Sequence, residues 1–411
     1  MQADSPLISH DGIVLGILLT VLAVLFYASD SSRPFWKKFF TFVPSLLLCY
    51  IIPALLNSYN IVSGATSQLY PIASQVLLPA SLVLLTAMAD LRAILKLGRN
   101  ALVVFFAGTI GIIIGGPIAL AIVSGLSETF REQAIQQELW KGLVTICGSW
   151  IGGSSSQLAL KEIYGCSESL FTIVLIVDAV VANTWMAILI YGAGVTKRID
   201  KWLKADMSSI DEVMKRVDRT ENNDKKPVTL IDLAAILALG FGGAGLSRLM
   251  AMGVVGLNIG GGEGAFSSEF LWMIIFATTL GIILSFTRVR LLEKSGASSI
   301  ATLFIYFLIM TIGMRLDIFS LEGSASLLWV AIIWIIFHAV VMFAVAKIIR
   351  APYFFVAVGS QANIGGVATA PAIASIFHPS LAPVGVLLAV LSHVLGTYAG
   401  IISAWLMQWV M

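Results

Sequence analysis

One carboxylate stands inside an aliphatic run, Val174-Leu-Ile-Val-Asp-Ala-Val-Val-Ala182, where Asp178 is the single charge. In the middle of a hydrocarbon slab an ionised side chain is costly, and it marks an ion or proton pathway by default. Asp178 is therefore read as an ion-coupling residue that binds sodium or carries a proton, with a hydrogen-bonded structural aspartate as the alternative. Asn183, Thr184 and, much later, Thr397 are the neutral oxygen donors grouped with it. In a regular helix, residues five or six positions on are rotated away from Asp178, so joint coordination with Asn183 and Thr184 requires a local unwinding.

Two short stretches supply the remaining polar chemistry. The first, Gly148-Ser-Trp-Ile-Gly-Gly-Ser-Ser-Ser-Gln157, carries Ser154, Ser155, Ser156 and Gln157. The second, Gly359-Ser-Gln-Ala-Asn-Ile-Gly-Gly-Val-Ala-Thr369, carries Ser360, Gln361, Asn363 and Thr369, and is followed by His393. These nine side chains are the candidate substrate-binding set. Glycine and serine at this density interrupt a helix. A broken helix in a membrane presents unpaired N–H groups to an anion and freed carbonyls to a cation. Aligning Ile151-Gly152-Gly153 on Ile364-Gly365-Gly366 gives an offset of 213 positions, which places Thr184 on Thr397 without a gap. Close helix packing is the plainer explanation of intramembrane glycine. It is preferred for Gly108, Gly111 and Gly115, but not for the two breaks, whose side-chain amides packing does not require.

The elements that hold these residues follow from composition. The 411 residues are 58% hydrophobic and only 12% charged, with a mean hydropathy of +0.94. That leaves too little polar surface to cover a water-soluble globule. Apolar windows of membrane-spanning length fall at residues 12–29, 39–57, 72–89, 101–124, 139–164 and 169–194. After a polar linker at 195–227 they resume at 228–253, 270–286, 298–314, 326–349, 352–377 and 381–410. The pattern predicts an all-α membrane protein of two repeats, 1–194 and 228–411, each with about six hydrophobic segments, one of them interrupted or re-entrant.

Lys and Arg collect in cytoplasmic loops. Arg33, Lys37 and Lys38 after the first window, and Lys197, Arg198, Lys201 and Lys204 at the start of the linker, place those loops inside. Arg288, Arg290 and Lys294 do the same for the second half, which is then inverted relative to the first. Asp90-Leu-Arg and Arg315-Leu-Asp, at corresponding segment ends, are expected to anchor helices. Parity requires the fifth and sixth windows to cross an odd number of times in total. A re-entrant hairpin over the fifth meets that requirement, entering from outside, with 352–377 entering from inside.

The runs Ile-Gly-Gly-Ser-Ser-Ser, Val-Asp-Ala-Val-Val-Ala-Asn-Thr-Trp-Met and Gly-Ser-Gln-Ala-Asn-Ile-Gly-Gly-Val-Ala-Thr-Ala resemble the YjcL-like family of bacterial integral membrane proteins over essentially the whole chain. The resemblance implies a multi-pass protein of the bacterial inner membrane, akin to inverted-repeat symporters, and amino-acid or peptide-like solutes. The residues themselves point to a secondary transporter of a small polar or anionic solute, working by alternating access with sodium or protons as the coupling ion. An uncoupled exporter or exchanger is the second reading, and a membrane enzyme or sensor the third. No enzyme is expected: the His-Glu-x-x-His pattern is missing from the sequence, and the Gly260-Gly-Gly-Glu-Gly264 run lacks the Lys of a phosphate loop. No cofactor is called for, and no metal beyond sodium at Asp178. A net charge of +2 gives no reason to expect a nucleic-acid partner. Membrane lipid and a second copy of the chain, as a homodimer, are the expected neighbours besides the solute.

Overall fold

The structure is a computed structural model that describes residues 6–42, 45–90, 93–94, 97–208, 210, 227–257, 268–315, 325–378 and 381–411. Most of the linker, the Gly260–Gly264 run, Arg92 and Asp317 lie outside the described residues. What is described is helical, apart from turns and one isolated bridge between Ile8 and Val62. Helix is the expected solution for so apolar a chain, because it pairs its own backbone groups where lipid offers none.

In chain order the helices are α1 (Asp11–Ser29), α2 (Pro34–Phe42), α3 (Ser45–Ser58), α4 (Leu69–Ala87, with a π turn at Ala73–Leu77), α5 (Arg99–Leu126) and α6 (Glu128–Gln136). They continue with α7 (Leu139–Tyr164), α8 (Glu168–Gly194), α9 (Thr196–Leu203), α10 (Leu230–Gly256) and α11 (Glu269–Ser285). The last five are α12 (Ala297–Gly313), α13 (Ala325–Ile349), α14 (Tyr353–Ile364), α15 (Gly366–Phe377) and α16 (Ala382–Val410). Seven of the described helices are long and apolar enough to cross a membrane: α1, α4, α5, α8, α10, α13 and α16. Helix starts carry the signals their sequences advertise. Ser167 accepts from the Leu170 N–H, Ser268 from Leu271, and Thr229 forms a reciprocal capping box with Asp232.

The window 39–57 falls on α2 and on α3, which contains Pro53. The window 270–286 ends in a 96° bend into a 3-10 helix, Arg288–Ser295. There Arg290 pairs with Asp90, whose carboxylate also accepts from the Ala93 N–H at 3.0 Å.

α7 reverses direction. A straight helix would set Trp140 and Tyr164 about 36 Å apart, yet their rings sit 5.5 Å apart. The reversal falls at Gly153, whose φ of 71° and ψ of −168° lie outside the helical region. α14 and α15 form a second hairpin on the same plan. Phe377 at its end stacks 5.4 Å from Phe354 and 6.1 Å from Tyr353 at its start, and Gly366 turns it with φ of 63°. Trp140 and Tyr353, Tyr164 and Phe377, and Gly153 and Gly366 all obey the 213-position offset.

The two hairpins open toward opposite ends of α8. The mouth of the first adjoins the start of α8, where Lys161 reaches Glu168 at 3.2 Å. The mouth of the second adjoins its far end, where the Tyr353 hydroxyl donates to the Leu189 carbonyl at 3.1 Å. There the Tyr353 N–H also donates to Asp200 of α9 at 2.7 Å.

Packing divides the helices into two bundles. One holds α5, α7, α8, α13, α14, α15 and α16; the other holds α1, α3, α4, α10, α11 and α12. Each half of the sequence contributes to both. Within the hairpin bundle, α5 and α13 approach closely enough that any Cβ on Gly108, Gly111 or Gly115 would press on His338, Met342, Trp334 or Phe337. α16 approaches α7 closely enough for the backbones of Gly396 and Gly152 to touch. Gly396→Val is expected to lower stability by about 2–3 kcal/mol through overpacking, read as a drop in thermal midpoint of the detergent-purified protein. Gly245→Ala, in open space on α10, is expected to leave it unchanged.

Candidate functional site

Both glycine turns come up against one side chain. A Cβ placed on Gly153 would lie 3.2 Å from His393 Nε2, and one on Gly366 would lie 3.6 Å from His393 Cε1. His393 Nδ1 is 2.9 Å from the Ala389 carbonyl. A carbonyl only accepts, so Nδ1 carries the proton and neutral His393 turns an acceptor, Nε2, toward the first turn. Left-handed backbone at Gly153 and Gly366 is what lets both hairpin tips reach the imidazole, because a side chain at either position would be strained.

Ser392, one residue before, joins the same two tips. Its hydroxyl reaches the Ile151 carbonyl of the first hairpin and lies 3.0 Å from Asn363 Oδ1 of the second. Asn363 is also held by the Thr109 hydroxyl at 3.2 Å and by the Phe105 and Gly359 carbonyls, which accept from its Nδ2 at 3.4 and 3.3 Å. Thr397, a turn after His393, donates to Ser156 Oγ at 3.3 Å. One face of α16 thus carries Ser392, His393, Gly396 and Thr397 between the hairpins.

Gln361 and Thr369 bridge the two arms of the second hairpin, with Nε2 donating to Oγ1 at 2.6 Å. Gln361 is buried, and its Oε1 has no hydrogen-bond partner among the described residues. The adjoining N-terminus of α15 has no side-chain cap, and its first N–H groups have no partner within their own helix. Ser154 is half-buried at the first tip, and Ser155 Oγ sits 3.5 Å from the Gly152 carbonyl.

Asp178 binds the first hairpin to α8. It accepts from Ser149 Oγ at 2.6 Å, Trp150 Nε1 at 2.7 Å and Gln157 Nε2 at 3.5 Å. Ser149 and Trp150 lie on one arm and Gln157 on the other, so one carboxylate holds the arms together.

Several candidates face elsewhere. Asn183 Nδ2 donates to the Ala179 carbonyl and Thr184 Oγ1 to the Val180 carbonyl, each at 2.7 Å, along an unbroken α8. The unwinding that would bring them to Asp178 is not there. Thr397 stands with Ser156, not with Asp178. Ser360 is engaged away from the tips. Trp185 Nε1 donates to its oxygen at 2.8 Å, and its hydroxyl faces His338 Nε2 at 2.8 Å, while His338 Nδ1 donates to the Gly108 carbonyl at 2.9 Å.

Ser149, Trp150, Ser392 and Thr109 are site residues that sequence reasoning passed over. Ser149 and Trp150 stand inside the first polar run, and Ser392 is the neighbour of His393. Nothing in the sequence singles out Thr109, which reaches the site only because α5 packs beside the second hairpin.

An all-helical, multi-pass membrane protein whose two helical hairpins converge on a third helix is the class these features define. The chain belongs to the family described as protein of unknown function DUF819, whose model matches residues 16–409. It is similar to a protein of Bacillus subtilis (strain 168) described as uncharacterized membrane protein YjcL. The two are 22% identical over 350 residues, spanning 81% of this chain and 82% of that one.

Removing the Asp178 carboxylate leaves buried donors unpaired. Asp178→Leu is expected to cost about 3 kcal/mol and Ser149→Ala about 1 kcal/mol. Urea or thermal unfolding followed by tryptophan fluorescence measures both, and equal losses would remove Asp178 from its place as the shared acceptor.

Proposed function

We propose that this protein is a secondary active transporter whose solute binds where the two hairpin tips meet α16, with its two halves related as inverted repeats. The observation that carries the reading is the convergence of Gly153 and Gly366 on His393. Interrupted helices meeting between two sequence-related halves are the arrangement on which alternating access is built. The constant offset between matched hairpin residues and the opposite directions of the two mouths support the inverted relation. Unpaired N–H groups at the tips suit a carboxylate or another anionic group, and Gln361 Oε1 suits a donor on the same solute. Small polar or anionic solutes, amino-acid or peptide-like, fit that pairing. The hairpin bundle moves as a body against the other bundle in the inner membrane, and the surface of the latter is where a second copy would pack.

Asp178 is the coupling residue in this reading, and the geometry favours a proton over sodium. Two of its neighbours, Trp150 Nε1 and Gln157 Nε2, carry hydrogens and offer a cation no lone pair. Protonation would release one of the donors that tie the hairpin arms together. Asn183 and Thr184 have no part in coupling here, and the substrate set narrows to Ser154, Ser155, Ser156, Gln361, Asn363, Thr369 and His393.

Thermal stability of the purified protein tests the reading, with a panel of amino acids, peptides and carboxylates in sodium or potassium buffer across pH. A solute that binds the folded state raises the midpoint by mass action. For the wild type, a solute-induced rise that depends on pH and not on sodium is expected, and Asp178→Asn should abolish the pH dependence. A sodium-specific rise would replace the proton with sodium. If no solute shifts the midpoint, and cysteines placed at Ser154 and Thr369 react from one and the same side of the membrane in every condition, the transporter reading is wrong.

A further inference from the structure

A second polar cluster lies away from the hairpin tips, where the mouth of the first hairpin meets the other bundle. Lys161, only 3% exposed, pairs with Glu162 and with Glu168, both at 3.2 Å. These three belong to the hairpin bundle. Facing them from the other bundle are Tyr50 of α3, Tyr70 of α4 and Arg315 at the end of α12. Arg315 pairs with Glu168 at 3.5 Å and lies flat over the Tyr70 ring, 4.3 Å from its centre. The Tyr70 hydroxyl donates to Glu162, and the Lys161 ammonium sits 5.5 Å from the same ring. Tyr50 meets the Thr172 hydroxyl at 2.7 Å.

Two cations and two carboxylates make this cluster neutral, and most of its bonds cross between bundles. Away from the cluster the bundles also pack along α4 and α11 against α7 and α16, where Thr279 meets Tyr398. The cluster is also incomplete, since Glu168 Oε2 is buried without a hydrogen-bond partner among the described residues. A buried network with an unmet acceptor gains little net free energy over its separated, hydrated state. Such a network holds two surfaces together without making them permanent partners.

We propose that Lys161, Glu162, Glu168, Tyr70 and Arg315 form a reversible clasp between the bundles, which parts each time the hairpin bundle moves. The proposal rests on the bundle motion inferred above, and its contacts lie apart from the solute site. Cys166, 4% exposed, lies in the short link between Glu162 and Glu168, and its N–H donates to the Lys161 carbonyl at 3.0 Å. Opening of the clasp uncovers it.

The test is the rate at which N-ethylmaleimide modifies Cys166 in full-length protein carrying Cys49→Ala and Cys147→Ala. Arg315→Met and Tyr70→Phe are each expected to raise the rate about tenfold, the effect of losing one charge-assisted hydrogen bond. Ile283→Ala on the exposed face of α11 should not change it. Arg315→Met combined with Glu168→Gln should react no faster than the faster of the two single variants. Gel filtration and tryptophan fluorescence establish that each variant is folded. Tyr70→Phe keeps the ring under Arg315 and removes one hydroxyl, so it serves where Arg315→Met does not fold. Unchanged labelling in the folded variants, or independent additive effects of Arg315 and Glu168, would overturn the clasp. Because Cys166 reports on the clasp alone, a solute panel without hits would count against the transporter and not against this result.

Discussion

A chain that turns back in the middle of a membrane must leave backbone donors and acceptors unpaired in a medium that cannot solvate them. That constraint organises the hairpin bundle. Both turns are made by glycine in left-handed conformation, and both are shielded from lipid by α16, whose Ser392 and His393 supply hydrogen-bonding partners and bulk between them. The tight junction of Gly152 with Gly396 removes the last space a side chain would occupy. Once two such turns are brought face to face, the polar residues beside them are concentrated in one small volume.

The carboxylate of Asp178 extends the same logic. Ser149, Trp150 and Gln157 come from arms that run in opposite directions, and in the absence of a shared acceptor nothing polar would fix their separation. Asn363 does comparable service for the second hairpin, tied to α5 through Thr109 and to α16 through Ser392. The hairpins are thus held by different devices, a carboxyl group in one and an amide in the other, so they are unlike in chemistry although their glycines and mouth aromatics match in register.

Much of this was legible before any coordinates. The density of glycine, serine and amide at 148–157 and 359–369 pointed to the two breaks, while the lone charge at Asp178 was read as ion-coupling, with a hydrogen-bonded aspartate, such as Ser149, Trp150 and Gln157 surround, as the alternative. His393 drew notice as an intramembrane imidazole, yet its position between the two tips depends on how α16 crosses them, which spacing along a chain does not encode. Asn183 and Thr184 misled for a related reason. They sit close to Asp178 in sequence, but α8 is regular there and turns each toward its own preceding backbone. Proximity in sequence predicts contact only once the local helix is known to be broken.

The hydrogen bond from the Tyr353 N–H to Asp200 has a mechanical side. Burial pushes the Asp200 carboxyl above its ordinary range while that N–H pulls it down, so the group is held in a partly dry seat at the mouth of the second hairpin. The stretch is fastened there a second time just past α9, where the Asp206 N–H donates to the Arg350 carbonyl at 2.8 Å, and a third time within α9, where Lys347 lies 3.9 Å from the centre of the Trp202 ring. The opening stretch of the linker is therefore freight carried by the hairpin bundle and not slack between the two halves.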